Sequence, residues 1–161
     1  MNVSKVEQFL QTSIVALLVL FLDQFTKQSV FFYMRNGDHE LGPINWIKIA
    51  FTTNSGAALG LQLGGNAFYI FFGVFVMILL GAWFWREPKV FEQRVMRLAL
   101  GLVLGGIVGN LIDRLLHHAV YDYIAISVLP VFNLADAALV GGILVLAYNY
   151  FIQSHKTLLK P

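Results

Sequence analysis

The chain alternates between long apolar segments and shorter polar connections. The apolar segments cover about 10–33, 67–85, 95–116 and 132–153, and each approaches the roughly 20 apolar residues that a helix needs to cross a bilayer. Backbone N–H and C=O groups in lipid must be paired internally, so each segment is predicted to be a helix. The pattern therefore predicts an α-helical polytopic membrane protein with four transmembrane helices, in which residues 1–161 form a single membrane domain.

The connections between these segments differ in character. The first, about 34–66, is long and rich in glycine, and within it the run from Trp46 to Thr53 combines β-branched and aromatic residues. That composition is typical of a strand, so a small sheet against the membrane surface is predicted. The second connection, 86–94, is short and charged, and the third, about 117–131, is predicted to be a loop.

The composition supports this class of protein and excludes several others. The chain is 58% hydrophobic and 12% charged, and a soluble domain carries about twice that charged fraction. It contains no cysteine, which excludes disulfides, thiolate zinc sites and a cysteine nucleophile. The net charge of +2 is small, and we expect no nucleic-acid partner.

The distribution of Lys and Arg predicts the orientation. Cytoplasmic connections carry an excess of these residues. With both termini and the second connection on one side, that side holds seven of the eleven cations, which favours cytoplasmic termini. The seven are Lys5, Arg86, Lys89, Arg94, Arg97, Lys156 and Lys160, and the other four are Lys27, Arg35, Lys48 and Arg114.

Three aspartates interrupt the apolar segments at one predicted depth. Asp23, Asp113 and Asp136 each lie 16 to 20 residues from a cation at the inner end of the same segment, a helical rise of about 24 to 30 Å. Charged residues inside membrane spans are costly and are functional candidates. The three carboxyls are therefore predicted to lie near the outer face of the membrane.

Asp113 and Asp136 are the predicted catalytic pair. Each follows an asparagine by three residues, Asn110 and Asn133 respectively, a spacing that places the amide and the carboxyl on one helix face. Two carboxyls that share a site tend to retain one proton, as the activation of water and protonation of a leaving amine require. From the helix dipoles we expect Asp113 to hold that proton and Asp136 to be the base.

Other polar residues have more than one interpretation. Asp23 is either part of the site or the partner of Lys27 in a structural i,i+4 ion pair. Arg114 either extends to the interface or pairs with a carboxylate or the substrate. We expect Asp122 to be a solvated loop residue.

Two further patterns are predicted to be structural. His117 and His118 have no third ligand at a convincing spacing and are expected to be exposed loop residues, so no metal site is predicted. A stripe of small residues on the third segment is predicted to allow close helix packing; it consists of Gly101, Gly105 and Gly109.

Four sequence blocks together resemble the prolipoprotein signal peptidases (signal peptidase II), and the resemblance covers nearly the whole chain. The blocks are Asp23-Gln24-Phe25-Thr26-Lys27, Asn54-Ser55-Gly56-Ala57-Ala58-Leu59-Gly60, Gly106-Ile107-Val108-Gly109-Asn110-Leu111-Ile112-Asp113-Arg114 and Phe132-Asn133-Leu134-Ala135-Asp136-Ala137. The sequence departs from the family pattern in two of its blocks. Leu59 replaces an aromatic residue, and Tyr121-Asp122-Tyr123-Ile124 stands where the family usually has Val-Asp-Phe-Ile.

The resemblance implies a four-helix fold with a small extracytoplasmic β-cradle and a surface-lying segment from the first connection. It implies an aspartic endopeptidase without metal or cofactor in the bacterial inner membrane. Its substrates would be diacylglyceryl-modified prolipoproteins, cleaved just before the lipidated cysteine. Asp113 and Asp136 correspond to the catalytic pair. The site-ordering positions are Asn54, Gly56, Asn110, Arg114, Asn133 and Ala135, and the supporting positions are Asp23 and Lys27.

We expect the protein to be a monomer in contact with membrane lipid. The alternative function is a small proton-coupled membrane transporter, for which an acid near mid-membrane would be expected. A structural membrane subunit is a further possibility, but it would not require two Asn-x-x-Asp units.

Overall fold

The structure, a computed structural model, describes residues 4–35, 41–44, 46–58, 61–62 and 64–158. This part of the chain contains four helices long and apolar enough to cross a membrane. They are α1 (Lys5–Arg35), α2 (Asn66–Arg86), α3 (Arg94–His117) and α4 (Leu134–Leu158). The four predicted spans are confirmed, with ends that differ from the predicted ones by a few residues.

The strands lie at the ends of these helices. They are β1 (Leu41–Ile44), β2 (Ile47–Asn54), β3 (Ala57–Ala58), β4 (Leu61–Gln62) and β5 (Val120–Ile126). An antiparallel sheet has the order β1-β2-β5, and β3 and β4 form a separate antiparallel pair. The strand predicted around Trp46–Thr53 is confirmed as β2.

The prediction that residues 117–131 form a loop is wrong, because β5 lies within that connection. Asp122 interrupts the apolar residues of β5, and the partner strand β2 is far away in the chain. Strand formation here depends on pairing with β2, which a local pattern does not reveal.

Helix α3 is the centre of the bundle. It packs extensively against α4 and α1 and much less against α2. Its buried side chains form most of the core, together with Phe91, which precedes α3, and Leu146 of α4. The core residues from α3 are Met96, Ala99, Leu100, Val103, Ile107 and Leu111. Helix α2 has no buried residue, as expected of a helix whose apolar side chains face lipid.

The glycine stripe of α3 allows α1 to approach closely. A Cβ on Gly101 would lie 2.7 Å from Val15 Cβ, and one on Gly105 would lie 2.6 Å from the carbonyl oxygen of Ala16. Real Cβ atoms do not approach other atoms so closely, so a side chain would force the helices apart. The prediction of close packing is confirmed.

Strand β5 is also joined to the segment that leads into α4. The N–H groups of Tyr123 and Ile124 donate to the carbonyl oxygen of Phe132 at 3.0 and 2.8 Å, and Phe132 N–H donates to Ile124 O at 3.1 Å. These bonds bring the middle of β5 beside the first turn of α4, so polar side chains of the two elements can meet.

Candidate active site

The Lys27 ammonium lies at the centre of a buried polar cluster. Its Nζ is 2.8 Å from Asp23 Oδ2, 2.8 Å from Asp113 Oδ2 and 3.0 Å from Asn110 Oδ1. An ammonium has three donors, and each has an acceptor here. Lys27 therefore connects one turn of α1 to two residues of α3.

Asp23 extends this cluster to α4. Its Oδ1 accepts the backbone N–H of Ala135 at 2.9 Å, while its Oδ2 receives Lys27. The Asp23–Lys27 ion pair, one of two interpretations from the sequence, is confirmed. The backbone of Ala135, a predicted site-ordering position, is the group that Asp23 holds.

Asp113 is held from three directions. Oδ2 is in the ion pair with Lys27 and also accepts the backbone N–H of Tyr121 at 3.1 Å, and Oδ1 accepts Gln24 Nε2 at 3.0 Å. Asp113 and Asp136 lie near opposite kinds of helix end, as predicted. The expectation that Asp113 carries the proton stays a prediction.

Asp136 lies in the first turn of α4 and has a different set of partners. Its Oδ1 accepts Asn110 Nδ2 at 2.7 Å, and its Oδ2 accepts the backbone N–H of Asn133 at 3.3 Å. Asn133 Oδ1 in turn accepts the backbone N–H of Asp136 at 2.8 Å, a reciprocal arrangement like a capping box. The Asn133–Asp136 contact predicted from the spacing is present, whereas Asn110 donates across the helix interface to Asp136.

Asp122 is buried, so the expectation of a solvated loop residue is wrong. Only 2% of its surface is exposed. Asn54 Nδ2 donates to its Oδ2 at 3.1 Å and Asn133 Nδ2 donates to its Oδ1 at 2.7 Å. Burial and then the negative charge of Asp136 raise the pKa of Asp122 from 3.8 to about 6, against the lowering effect of its hydrogen bonds. The sequence around Asp122, Tyr121-Asp122-Tyr123-Ile124, resembles a family block. This resemblance is the sequence signal that could have identified Asp122 as a site residue.

Asn54 is oriented by a turn at the end of β2. Its Oδ1 accepts the backbone N–H of Gly56 at 3.1 Å, which leaves Nδ2 directed to Asp122. Gly56 has φ of 155°, and a Cβ there would lie 2.8 Å from Tyr69 Cε2. Glycine is the residue that accepts both this backbone conformation and this contact.

Arg114 lies beside the same turn. Its guanidinium carbon is 4.5 Å from the centre of the Tyr69 ring, a cation–π distance. Its Nη1 is buried without a hydrogen-bond partner in the part of the chain that the structure describes. The structure thus shows stacking on an aromatic ring, and the predicted contact with substrate stays a prediction.

The two histidines are exposed, as expected. His117 is the last residue of α3, and His118 caps the helix in the left-handed conformation, with φ of 59°. The His117 ring also stacks on Tyr121, with ring centres 4.7 Å apart.

Several of the predicted site residues, together with Asp122, form two adjacent clusters. In the first, the ammonium of Lys27 lies between the carboxyls of Asp23 and Asp113. All three side chains also form hydrogen bonds with other protein groups. In the second, Asn133 contacts the carboxyls of both Asp122 and Asp136. In the second cluster neither carboxyl forms an ion pair among the described residues, and two neighbouring carboxyls can share one proton.

Comparison with known proteins agrees with this fold. Residues 15–152 match the family described as Signal peptidase (SPase) II. The chain is 36% identical over 146 residues to a lipoprotein signal peptidase of Moorella thermoacetica, covering 88% of this chain and 93% of the relative. It is 38% identical to that of Shouchella clausii (87% and 92% covered) and 32% identical to that of Bacillus subtilis (88% and 94% covered).

Solved structures show the same architecture. A bacterial membrane enzyme determined by the in meso method at 2.3 Å resolution matches with a TM-score of 0.81 and 27% identity, covering 93% of both chains. A second, at 1.9 Å resolution, matches with a TM-score of 0.70 and 27% identity, covering 85% of this chain and 90% of the other. The protein is a multi-pass membrane protein, and it belongs to the signal peptidase II family.

Proposed function

We propose that this protein is an aspartic endopeptidase that removes the signal peptide from diacylglyceryl-modified bacterial prolipoproteins, cleaving before the lipidated cysteine. We propose further that Asp122 and Asp136 carry the reaction. The observation that supports this pair is the position of Asn133, whose side-chain amide donates to Asp122 and whose backbone N–H donates to Asp136. The activity is the one for which the relatives are named.

The assignment of Asp122 replaces Asp113 in the pair predicted from the sequence. Asp113 Oδ2 is in an ion pair with Lys27 and also accepts the backbone N–H of Tyr121, whereas Asp122 and Asp136 form no ion pair among the described residues. A carboxylate used in this way has little capacity left to bind and activate water. Asp113 is better suited to hold β5 in place through the backbone of Tyr121.

The protonation of Asp122 suits it to be the acid. With a pKa raised to about 6 by burial and by Asp136, it keeps its proton more readily than an ordinary aspartate. Asp136, with donors from Asn110 and Asn133, is the corresponding base. The two carboxyls titrate as a coupled pair.

The reaction follows from these roles. Asp136 takes a proton from water while the water oxygen bonds to the scissile carbonyl carbon, and the Asp122 proton is donated towards the carbonyl oxygen. A tetrahedral diol forms. Its collapse breaks the C–N bond, the proton on Asp136 goes to the leaving nitrogen, and a hydroxyl proton of the diol returns to Asp122. One water is consumed, and both carboxyls regain their initial states.

The membrane setting suits a lipid-modified substrate. A transmembrane signal peptide can enter laterally between helices, and the acyl chains can stay in lipid while the scissile bond reaches the carboxyls. Each buried methylene contributes about 0.8 kcal/mol, so binding needs few specific side-chain contacts. The two carboxyls supply the proton transfers of the proposed reaction, so the proposal includes no metal or cofactor.

We propose an inner-membrane location, with both termini in the cytoplasm and the site at the outer face. The excess of Lys and Arg at the inner ends supports this orientation. Because the chain has no cysteine, single cysteines introduced at Ser4 and at His118 provide clean reporters. A membrane-impermeant maleimide should label His118→Cys and not Ser4→Cys in intact spheroplasts, and the reverse pattern would overturn the orientation.

The transporter alternative has no support from the family match or from the relatives described above. The test of the proposal is a gel-shift cleavage assay with purified protein and a diacylglyceryl-modified precursor. Asp122→Asn and Asp136→Asn should each abolish cleavage while the protein still folds. Asp113→Asn should lower stability but retain measurable turnover, and EDTA should have no effect.

Each outcome of this assay distinguishes between assignments. A folded Asp113→Asn variant without activity, together with an active Asp122→Asn variant, would restore the pair predicted from the sequence. Inhibition by EDTA, or turnover near the wild-type rate in Asp136→Asn, would overturn the aspartic mechanism.

A further inference from the structure

Tyr121 lies at the junction of four elements. Its ring stacks on Phe31 of α1 with centres 5.8 Å apart and an interplanar angle of 6°, and on His117 of α3 at 4.7 Å and 14°. Phe51 of β2 meets it edge-on at 5.1 Å, and Phe31 and Phe51 contact each other at 5.5 Å. We call Phe31, Phe51, His117 and Tyr121 the aromatic clamp.

The backbone of Tyr121 is fixed as firmly as its ring. Its N–H donates to Asp113 Oδ2 at 3.1 Å, and its carbonyl oxygen accepts Asn133 Nδ2 at 3.3 Å. That carbonyl belongs to the peptide bond entering Asp122. Asn133 Nδ2 also donates to Asp122 Oδ1, so one amide holds both the carboxyl of Asp122 and the peptide group preceding it.

The strand geometry shows why an additional anchor is needed. Successive side chains of a strand point to opposite faces, so the Tyr121 ring and the Asp122 carboxyl lie on opposite sides of β5. The ladder between β2 and β5 shifts register between Ile49 and Thr52, next to the pair formed by Thr52 and Asp122. Irregularities of this kind re-aim side chains and weaken local pairing. The sheet alone therefore fixes Asp122 less well than a regular ladder would.

We propose that Tyr121 is a positioning residue, whose ring, held in the aromatic clamp, sets the placement of Asp122 relative to Asp136. This inference rests on the proposed function, in which those two carboxyls carry the reaction. The hydrogen bonds and ring contacts described for Tyr121 do not involve the carboxyl of Asp122 or that of Asp136. Tyr121 acts through the backbone of β5, with the clamp on one side and the site on the other.

The test uses variants that preserve the strand. Tyr121→Val removes the ring and introduces the residue that the family usually has at this position, which also favours a strand. A loss of activity in this variant would therefore depend on the rings that surround Tyr121 in this chain. Tyr121→Phe keeps the ring and removes only the hydroxyl. A displacement of about 1 Å can cost on the order of 100-fold in rate. We expect Tyr121→Val to lower kcat on the order of 10-fold or more with little change in KM, and Tyr121→Phe to restore nearly the wild-type kcat.

The pH profile of kcat separates positioning from a loss of folded protein. The pKa of Asp122 is raised by burial and by Asp136, and is lowered by Asn54, Asn133 and Lys27. If Tyr121→Val lets Asp122 move away from Asp136, its pKa falls, and the limb of the profile near pH 6 moves to lower pH. A loss of folded protein would scale the profile without moving it.

A matched control is Phe21→Ala. Phe21 also stacks on a neighbouring ring, that of Phe25, with centres 6.0 Å apart and an angle of 18°. Its side chain is exposed, and it precedes Phe31 in α1 by ten residues, a helical rise of about 15 Å. It should leave kcat and the pH profile unchanged. Should Tyr121→Val fail to fold, Phe51→Leu removes one ring of the clamp and should give a smaller change of the same kind.

The results distinguish this inference from the proposed function. Wild-type kcat and pH profile in Tyr121→Val, with Asp122→Asn inactive, would overturn the positioning role and leave the proposed function standing. Activity in Asp122→Asn would overturn both. An equal loss of kcat in Tyr121→Phe and Tyr121→Val would show that the hydroxyl, and not the ring in the clamp, is what matters.

Discussion

Lys27 Nζ lies 2.8 Å from Asp113 Oδ2, and this ion pair joins α1 to α3 in a part of the bundle where both side chains are buried. The same ammonium is shared with Asp23. It is therefore the one positive charge that directly compensates two buried carboxylates in the described cluster.

Replacement of Lys27 by Met should destabilise the protein strongly. Removing one partner of a buried ion pair leaves uncompensated charge and costs about 3–5 kcal/mol. Equilibrium unfolding in mixed micelles measures this change. Lys27→Met/Asp113→Asn should recover part of the loss, and Lys89→Met, at an exposed lysine, should be neutral. Equal stability of Lys27→Met and the wild type would contradict a structural role for the ion pair.

The carboxyl of Asp122 should titrate near pH 6. Its folded-state pKa, about 6, exceeds the ordinary value of 3.8, so between these values the folded protein retains a proton that the unfolded chain releases. Folding stability contributed by this group is then present at low pH and is lost as pH rises through about 6. Infrared spectroscopy of the carboxyl stretch, assigned with Asp122→Asn, measures the titration.

The companion variant is Asp136→Asn. It removes the negative charge that raises the pKa of Asp122 and leaves the burial in place. The midpoint should therefore move to lower pH than in the wild type. An unchanged midpoint would mean that the two carboxyls do not interact, and this would contradict the proposed pair.

The sequence and the structure agree where lipid imposes a local rule. Long apolar segments must be helical in a membrane, so the four helices follow from the pattern alone. The close packing along the glycine stripe of α3 follows from spacing. These predictions depend on residues close together in the chain.

The features that the sequence analysis missed depend on distant partners. Asp122 is buried because β5 pairs with β2 and because Asn54 and Asn133 supply donors. Asp113 is in an ion pair because Lys27 approaches it from another helix. The two Asn-x-x-Asp units predicted that each asparagine lies beside its own aspartate, but Asn110 donates to Asp136 across the helix interface.

Gly109→Ala should disturb the polar cluster through sterics alone. A Cβ at Gly109 would lie 2.6 Å from Asp23 Oδ2, and Asp23 cannot retreat without loosening its bonds to Lys27 and Ala135. Overpacking of this kind costs about 1–3 kcal/mol. Unfolding in mixed micelles should show the loss.

The control for this change is Gly81→Ala in α2. A Cβ there meets no described atom within 4 Å, and alanine is favoured over glycine within a helix by about 0.5–1 kcal/mol. Gly81→Ala should therefore be neutral or slightly stabilising. Were both variants destabilised alike, the cause would lie in the membrane environment of the helices and not in the contact with Asp23.

Asn54→Leu should raise the activation free energy of cleavage by more than it lowers the free energy of unfolding. Asn54 donates to Asp122 and accepts from Gly56, and Asp122 becomes charged when it donates its proton in the proposed reaction. A hydrogen bond to a charged group contributes about 1.5–3 kcal/mol, so its absence corresponds to a rate loss on the order of 10- to 100-fold. Since the Asn54 hydrogen bond lowers the pKa of Asp122, its loss should also move the titration to higher pH. The control is Asn149→Leu, because Asn149 bonds only within α4 among its described contacts, to Val145 O at 2.9 Å. A cleavage rate and titration in Asn54→Leu that match those of Asn149→Leu would mean that Asn54 does not act on Asp122, and the site would have to be sought among other groups.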